Sequence, residues 1–366
     1  MKLKFFPLYL FILFFLIDKL FLLKPVQKLF VQNTVNAYDM THDFQWKTYQ
    51  KNKSKLENAS SIFFIGTSRS DKYGLITPED FLMNPYVEEK ELLSKNWRVN
   101  SDFSVKAASP LLLFHSFDFM LQKGVKPKVF VLETSFSTLN KNSLFVEKSQ
   151  MNDMKLNFFW KYRHLFNLEE KVDYLSTRVF VLNRMNIPWI GLITGKSSAG
   201  SEAPTALLDF IIGLSQVKSE KKLEENGFKV VGEEEGKESE MIKEKNQKYI
   251  QYLIQRFFNS FETYHPSYMR MYREFARLCK EQGIQLVFYS PPVHKLYTQA
   301  KEPFHRQELL WKKEMESIAR EFSVLYLDFE SKIPLKCRFF EDISHISSSC
   351  YPEVVEKILL KSGNLR

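Results

Sequence analysis

The chain has 366 residues, 44% of them hydrophobic, with 34 phenylalanines and 16 tyrosines, which is enough for one large domain or two ordinary ones with a thick core. The formal charge is +9, but lysines and arginines are interspersed with acidic residues. No arginine-rich tract, zinc-finger or helix-turn-helix pattern occurs, so nucleic acid is excluded as the expected partner. Cys279, Cys337 and Cys350 form no C-x-x-C pair, which argues against a zinc site and against a disulfide framework. They read as buried free thiols, with a Cys337–Cys350 bridge left open for an exported chain.

Phe5 to Leu23 reads FFPLYLFILFFLIDKLFLL, close to the roughly 20 apolar residues that span a bilayer core. Asp18 and Lys19 interrupt it near one end, where a lysine can reach the interface. No small-residue cleavage site and no lipobox cysteine follow. Residues 1–24 are therefore expected to be an uncleaved signal anchor, a single pass through the inner membrane with the body on the extracytoplasmic side. Residues 25–59 form a polar, amphipathic connector.

From residue 60 onward, short apolar strands alternate with helices. Strands are predicted at Ser61–Ile65, Arg98–Val105, Lys128–Leu132, Gln285–Tyr289 and Val324–Leu327. Helices are predicted at Leu111–Leu121, Tyr268–Gln282, Glu308–Phe322 and Pro352–Leu360. This rhythm predicts an α/β domain over residues 60–366, with a mainly parallel sheet covered by helices on both faces.

An insertion over about 141–264 interrupts the alternation. It opens with the aromatic, helical NFFWKYRHLF. The flexible GKSSAGSEAPT and the short apolar ALLDFIIGL follow. The lysine/glutamate run Glu220–Lys245 reads as a solvated helix or a disordered loop. A lid or a partner-binding role is open for this insertion.

Ligands of open α/β sheets bind at the carboxyl ends of the strands. Those ends carry Gly66-Thr67-Ser68-Arg69, Lys106-Ala107-Ala108-Ser109, Glu133-Thr134-Ser135, Ser290-Pro291-Pro292-Val293-His294, and Asp342-Ile343-Ser344-His345 beyond the last strand. A serine nucleophile needs a base within reach and a group that orients the base. Asp342 can face the ring of His345, leaving its other nitrogen to take the Ser68 proton. Glu133 is a candidate for a buried acid that positions the Ser68 loop. Arg69 is a candidate for an anionic substrate group or a carboxylate partner, and Lys72 and Tyr73 for a substrate rim. His294 is a candidate cleft residue. No glycine-rich phosphate loop, HExxH or dinucleotide fingerprint occurs, so no cofactor and no metal are expected.

Gly66-x-Ser68 after the first strand, with Asp342-x-x-His345 before the last helix, resembles the SGNH (GDSL) hydrolase superfamily. The closest resemblance is to its membrane-anchored branch, which includes proteins of teichoic-acid D-alanylation and alginate O-acetylation and related families of unknown function. It covers roughly residues 60–140 and 265–366. The resemblance implies a three-layer, flavodoxin-like parallel sheet. It implies Ser68 as nucleophile, His345 as base and Asp342 as orienting group. Backbone N–H groups of Ser68 and of Ala107 or Ala108 would hold the oxyanion. The superfamily's third block supplies an asparagine; here Glu133-Thr134-Ser135 stands there, so either Ser135 or Thr134 substitutes as donor, or the site is specialised, or it is weakly active. The implied activity is ester hydrolysis or O-acyl transfer to an envelope glycan or lipid, with a membrane-protein partner open. The competing expectation is an inactive protein of the same fold that binds a glycan or a membrane partner.

Overall fold

The computed structural model describes residues 6–20, 22–23, 37–56, 59–105, 108–140, 154–181, 222–223, 228–258, 261 and 264–365. The chain forms two compact units. One comprises Met1–Met40 and Glu147–Lys218, the other Thr41–Val146 and Ser219–Arg366.

The second unit is built on five strands: β1 (Ser60–Ile65), β2 (Trp97–Asn100), β3 (Val129–Glu133), β4 (Gln285–Ser290) and β5 (Leu325–Asp328). They form one sheet in the order β2-β1-β3-β4-β5, with every pairing parallel. This is one of the two common orders of doubly wound sheets. The three central strands are nearly continuous apolar runs because both of their faces are buried. Ile62, Phe64, Val129, Val131, Val287 and Tyr289 share a core with Val354, Val355 and Ile358 of the closing helix Tyr351–Lys361. The intervening residues face the other way. There Phe130 meets Phe117 at 4.8 Å and Tyr272 meets Phe288 at 6.0 Å, from helices Pro110–Gln122 and Pro266–Gln282.

The elements expected from the alternation are present, with two differences. The second strand ends at Asn100 instead of Val105. Beyond it the chain leaves the sheet to close over the end of β1: the Ser104 hydroxyl donates to the Phe64 carbonyl, and the Val105 N–H donates to the Gly66 carbonyl. The connector contains a long helix, Ala37–Leu56.

The lysine/glutamate run is also neither a wholly solvated helix nor a loop. Glu233–Glu234 pairs antiparallel with β6 (Phe339–Asp342), and a helix follows over Glu240–Leu253. Its acidic residues find partners. Glu235 accepts from the Lys295 N–H and pairs with Arg338, and Glu238 meets His294 at 2.5 Å. Gly232 has φ +87°, and a Cβ there would run into the Phe340 carbonyl, so the close approach of this arm to β6 requires glycine.

Cys337 and Cys350 are joined in a disulfide, correcting the expectation of free thiols for this pair. Their spacing predicts nothing, because only the fold brings the Cα atoms to 5.4 Å. Cys279 is free and buried, and burial raises its thiol pKa. The bridge closes the segment that holds β6 and β7 (His345–Ile346). The double change Cys337→Ser/Cys350→Ser is expected to destabilise this unit by about 3 kcal/mol, the value for a loop of this length. Thermal unfolding with and without reductant measures it, and an unchanged midpoint would contradict the clamp.

The first unit holds the helix α1 (Phe6–Leu20) with helices Leu156–Tyr162 and Leu168–Val179. Phe159 stacks on Tyr174 at 4.1 Å inside it. Asp18 is fully buried and accepts the Val181 N–H at 2.9 Å, while Lys19 donates to the Val179 carbonyl. The charged pair that interrupts the apolar run thus caps the end of a neighbouring helix. At 15 residues α1 is about 22 Å long. No helix among the described residues is long and apolar enough to cross a membrane. GKSSAGSEAPT and ALLDFIIGL lie outside the described residues.

Candidate active site

The turn after β1 carries Ser68 to the carboxyl end of the sheet, next to a hairpin made by β6 and β7. In that hairpin His345 lies directly opposite Asp342, and a bulge follows between His345 and Ile346. The pairing explains why three residues' separation places carboxylate and imidazole face to face. Ser68 Oγ lies 2.8 Å from His345 Nε2. On the other side of the ring, Nδ1 lies 2.9 and 2.8 Å from the two Asp342 oxygens. The three groups form one hydrogen-bonded chain.

Asp342 is held by its own loop. Its Oδ1 accepts from the N–H of Ser344 at 2.7 Å, the Ser344 hydroxyl at 2.9 Å and the N–H of His345 at 3.0 Å. Burial pushes the Asp342 pKa up, but the His345 charge and these donors pull it down to about 2. Burial likewise opposes an imidazolium at His345, yet Asp342 outweighs it and the pKa lies above its ordinary value of 6.5. A chain with these properties can take a proton from a hydroxyl and hold it.

The Ser68 turn is fixed from beneath by Glu133, only 1% exposed at the end of β3. Its carboxylate accepts from the Thr67 N–H at 2.8 Å, the Thr67 hydroxyl at 2.7 Å and the Ser70 hydroxyl at 2.6 Å. It also accepts from Arg69 Nε and Nη2 at 3.1 and 2.8 Å. A Cβ at Gly66 would overlap the Glu133 carboxylate and the Ser70 hydroxyl, so a glycine is needed where the turn leaves the strand. Burial opposes the Arg69 charge, but Glu133 more than compensates and the guanidinium pKa rises. Arg69 is therefore neutralised by a carboxylate of its own chain.

The remaining candidates are placed as follows. The Ser68 N–H has no acceptor among the described residues and is available to an oxyanion. The Ala108 N–H is taken by the Val105 carbonyl at 3.2 Å, and Ala107 lies outside the described residues. The Ser135 hydroxyl bonds that of Ser137 at 2.8 Å, and Thr134 bonds the Tyr289 carbonyl and the Ser290 hydroxyl. The third block thus anchors the Ser68 turn through Glu133. His294 is buried, caps the short helix Lys295–Lys301 and carries the Ile343 carbonyl on its own N–H at 3.1 Å. It supports the Asp342–His345 hairpin from behind. Tyr73 is buried, with its hydroxyl 2.7 Å from that of Tyr289. Lys72 pairs with Glu341 at 2.6 Å, tying the Ser68 turn to β6.

Two participants carry no signal in the sequence. Ser344 Oγ lies 2.9 Å from His345 Nδ1 besides its bond to Asp342. Tyr249, from the insertion helix Glu240–Leu253, meets Ser344 Oγ at 3.1 Å. Burial raises the Tyr249 pKa, with the Asp342 charge adding to it, so the phenol stays protonated.

A search among curated proteins gives no significant match. The family described as "Protein of unknown function (DUF1574)" matches residues 1–362, nearly the full length, and the chain belongs to that family.

Proposed function

We propose that this protein is a membrane-anchored serine esterase or O-acyltransferase of the SGNH type, acting on ester groups of an envelope glycan or lipid. The observation that carries the reading is the chain Ser68 Oγ–His345 Nε2–Asp342, with links of 2.8 Å each. The sheet order, which is flavodoxin-like, and the position of Ser68 at the end of β1 support the same assignment. The Cys337–Cys350 bridge favours an oxidising compartment, in line with a body on the extracytoplasmic side and α1 as part of the anchor.

Ser68 attacks the ester carbonyl while His345 Nε2 takes its proton. The Ser68 N–H donates to the developing oxyanion. His345 then gives the proton to the leaving alkoxide, and Ser68 carries the acyl group as an ester. A water molecule activated by His345 completes hydrolysis; a sugar or polyol hydroxyl in its place completes transfer. Asp342 holds the ring nitrogen facing it protonated throughout.

A fluorophosphonate probe is expected to label the full chain and to lose its label in Ser68→Ala. A folded wild-type protein that never labels would favour a non-catalytic binding role. The pH dependence follows from the raised His345 pKa. Protonated His345 cannot accept the Ser68 proton, so the labelling rate falls as pH drops through the folded-state value. That limb is expected above 6.5. A limb below 6.5 in pH-rate measurements would contradict the Asp342–His345 coupling.

A further inference from the structure

We propose that the first unit carries a second membrane-seating surface, the exposed face of the helix Leu168–Val179, which lies in the headgroup region of the bilayer entered by α1. The inference rests on the anchoring reading above and extends it to the insertion.

Leu168, Val172, Leu175 and Val179 are 76%, 58%, 43% and 49% exposed. At about 100° per residue these four occupy roughly a sixth of the helix circumference. The opposite side carries Glu170, Tyr174 and Thr177, all buried in the unit's own interior. The helix therefore turns an apolar stripe outward and buries Glu170, Tyr174 and Thr177, while Glu169 stays exposed beside the stripe. A contiguous exposed stripe of this kind marks an interaction surface.

The occupant follows from what the stripe adjoins. Its carboxyl end is capped by Asp18 and Lys19 of α1, and Phe180 contacts Phe15 edge-on at 6.3 Å. Phe6 and every residue from Leu8 to Phe14 of α1 are between 41% and 68% exposed. The stripe is thus continuous with a helix whose surface is apolar on all sides. Charge and aromatic placement agree with a lipid interface. Trp160 is 52% exposed with the Arg163 guanidinium 5.9 Å from its ring, the pairing expected at headgroup depth. Residues 154–181 hold five Lys/Arg against three Asp/Glu, which suits anionic lipid.

The test uses the full chain reconstituted in vesicles of phosphatidylcholine and phosphatidylglycerol in equal parts. Single cysteines are introduced as Val172→Cys, Leu175→Cys, Glu169→Cys and Leu13→Cys and labelled with a polarity-sensitive fluorophore. The buried Cys279 and the bridged pair leave the new thiol as the reactive one. Lipids brominated near the headgroup are expected to quench positions 172 and 175 several-fold more than position 169, consistent with a depth of about 5–10 Å, and lipids brominated along the acyl chain to quench position 13, at the middle of α1. Quenching at 13 with none at 172 and 175 overturns the seating and leaves the anchor standing. No quenching at any position overturns both. Shielding at 172 and 175 that persists in detergent, with energy transfer between labelled copies, overturns it in favour of self-association.

Discussion

Asp342→Asn is expected to lower the rate of ester turnover by about 10⁴-fold while leaving the fold intact. An asparagine can keep its oxygen on the N–H groups of Ser344 and His345, now held by Oδ1 at 2.7 and 3.0 Å. Its amide then points an N–H at His345 Nδ1. The imidazole must turn that nitrogen into an acceptor and carry its proton on Nε2, the nitrogen that faces Ser68 Oγ at 2.8 Å. A protonated Nε2 cannot take the serine proton. Hydrolysis of a chromogenic short-chain ester, together with the fluorophosphonate labelling rate, measures the loss. Circular dichroism checks that the fold persists. A variant within tenfold of wild type would show that Asp342 does not set the tautomer.

Glu133→Gln is expected to destabilise the second unit by about 3–5 kcal/mol, which corresponds to a fall of about 10 °C in its melting temperature. Glu133 is 1% exposed and Arg69 9%, and the guanidinium cannot shed its charge when its partner is neutralised. Five hydrogen bonds converge on this one carboxylate, three of them from Thr67 and Ser70 on either side of Ser68. The amide must also turn two donors toward groups that are themselves donors. The double variant Glu133→Leu/Arg69→Met is expected to recover part of the lost stability, because it removes both charges at once. It should not recover ester turnover, since the Ser68 turn loses its support. Thermal melts of the full chain in detergent check this. A Glu133→Gln midpoint within about 2 °C of wild type would mean that the turn is held by other contacts.

The five parallel strands were readable because a strand buried on both faces is a short apolar run bounded by turn residues, a pattern that needs no knowledge of its neighbours. Ser68 was readable as a candidate because it follows such a run, and Asp342 and His345 because they stand three apart before the last helix. Glu133 was readable as a buried acid under the Ser68 loop, but the five hydrogen bonds it accepts from Thr67, Arg69 and Ser70 were not.

The amino-acid sequence by itself determined the strand pattern, the apolar stretch at the amino terminus and the residue types able to do acyl chemistry. All of these are set by local periodicity and spacing. The tertiary structure decided which of them meet. Ser68 and His345 are 277 residues apart, Thr67 and Glu133 66, and Tyr249 and Ser344 95. Cys337 and Cys350 are only 13 apart, yet they pair because a hairpin and the single turn Ser348–Cys350 bring the chain back between them. The acidic run of the insertion looked solvated because its partners, Arg338, His294 and the Lys295 N–H, lie on elements far along the chain. Contacts of this kind arise from packing two distant surfaces together, and a chain read one window at a time carries no period or spacing that records them.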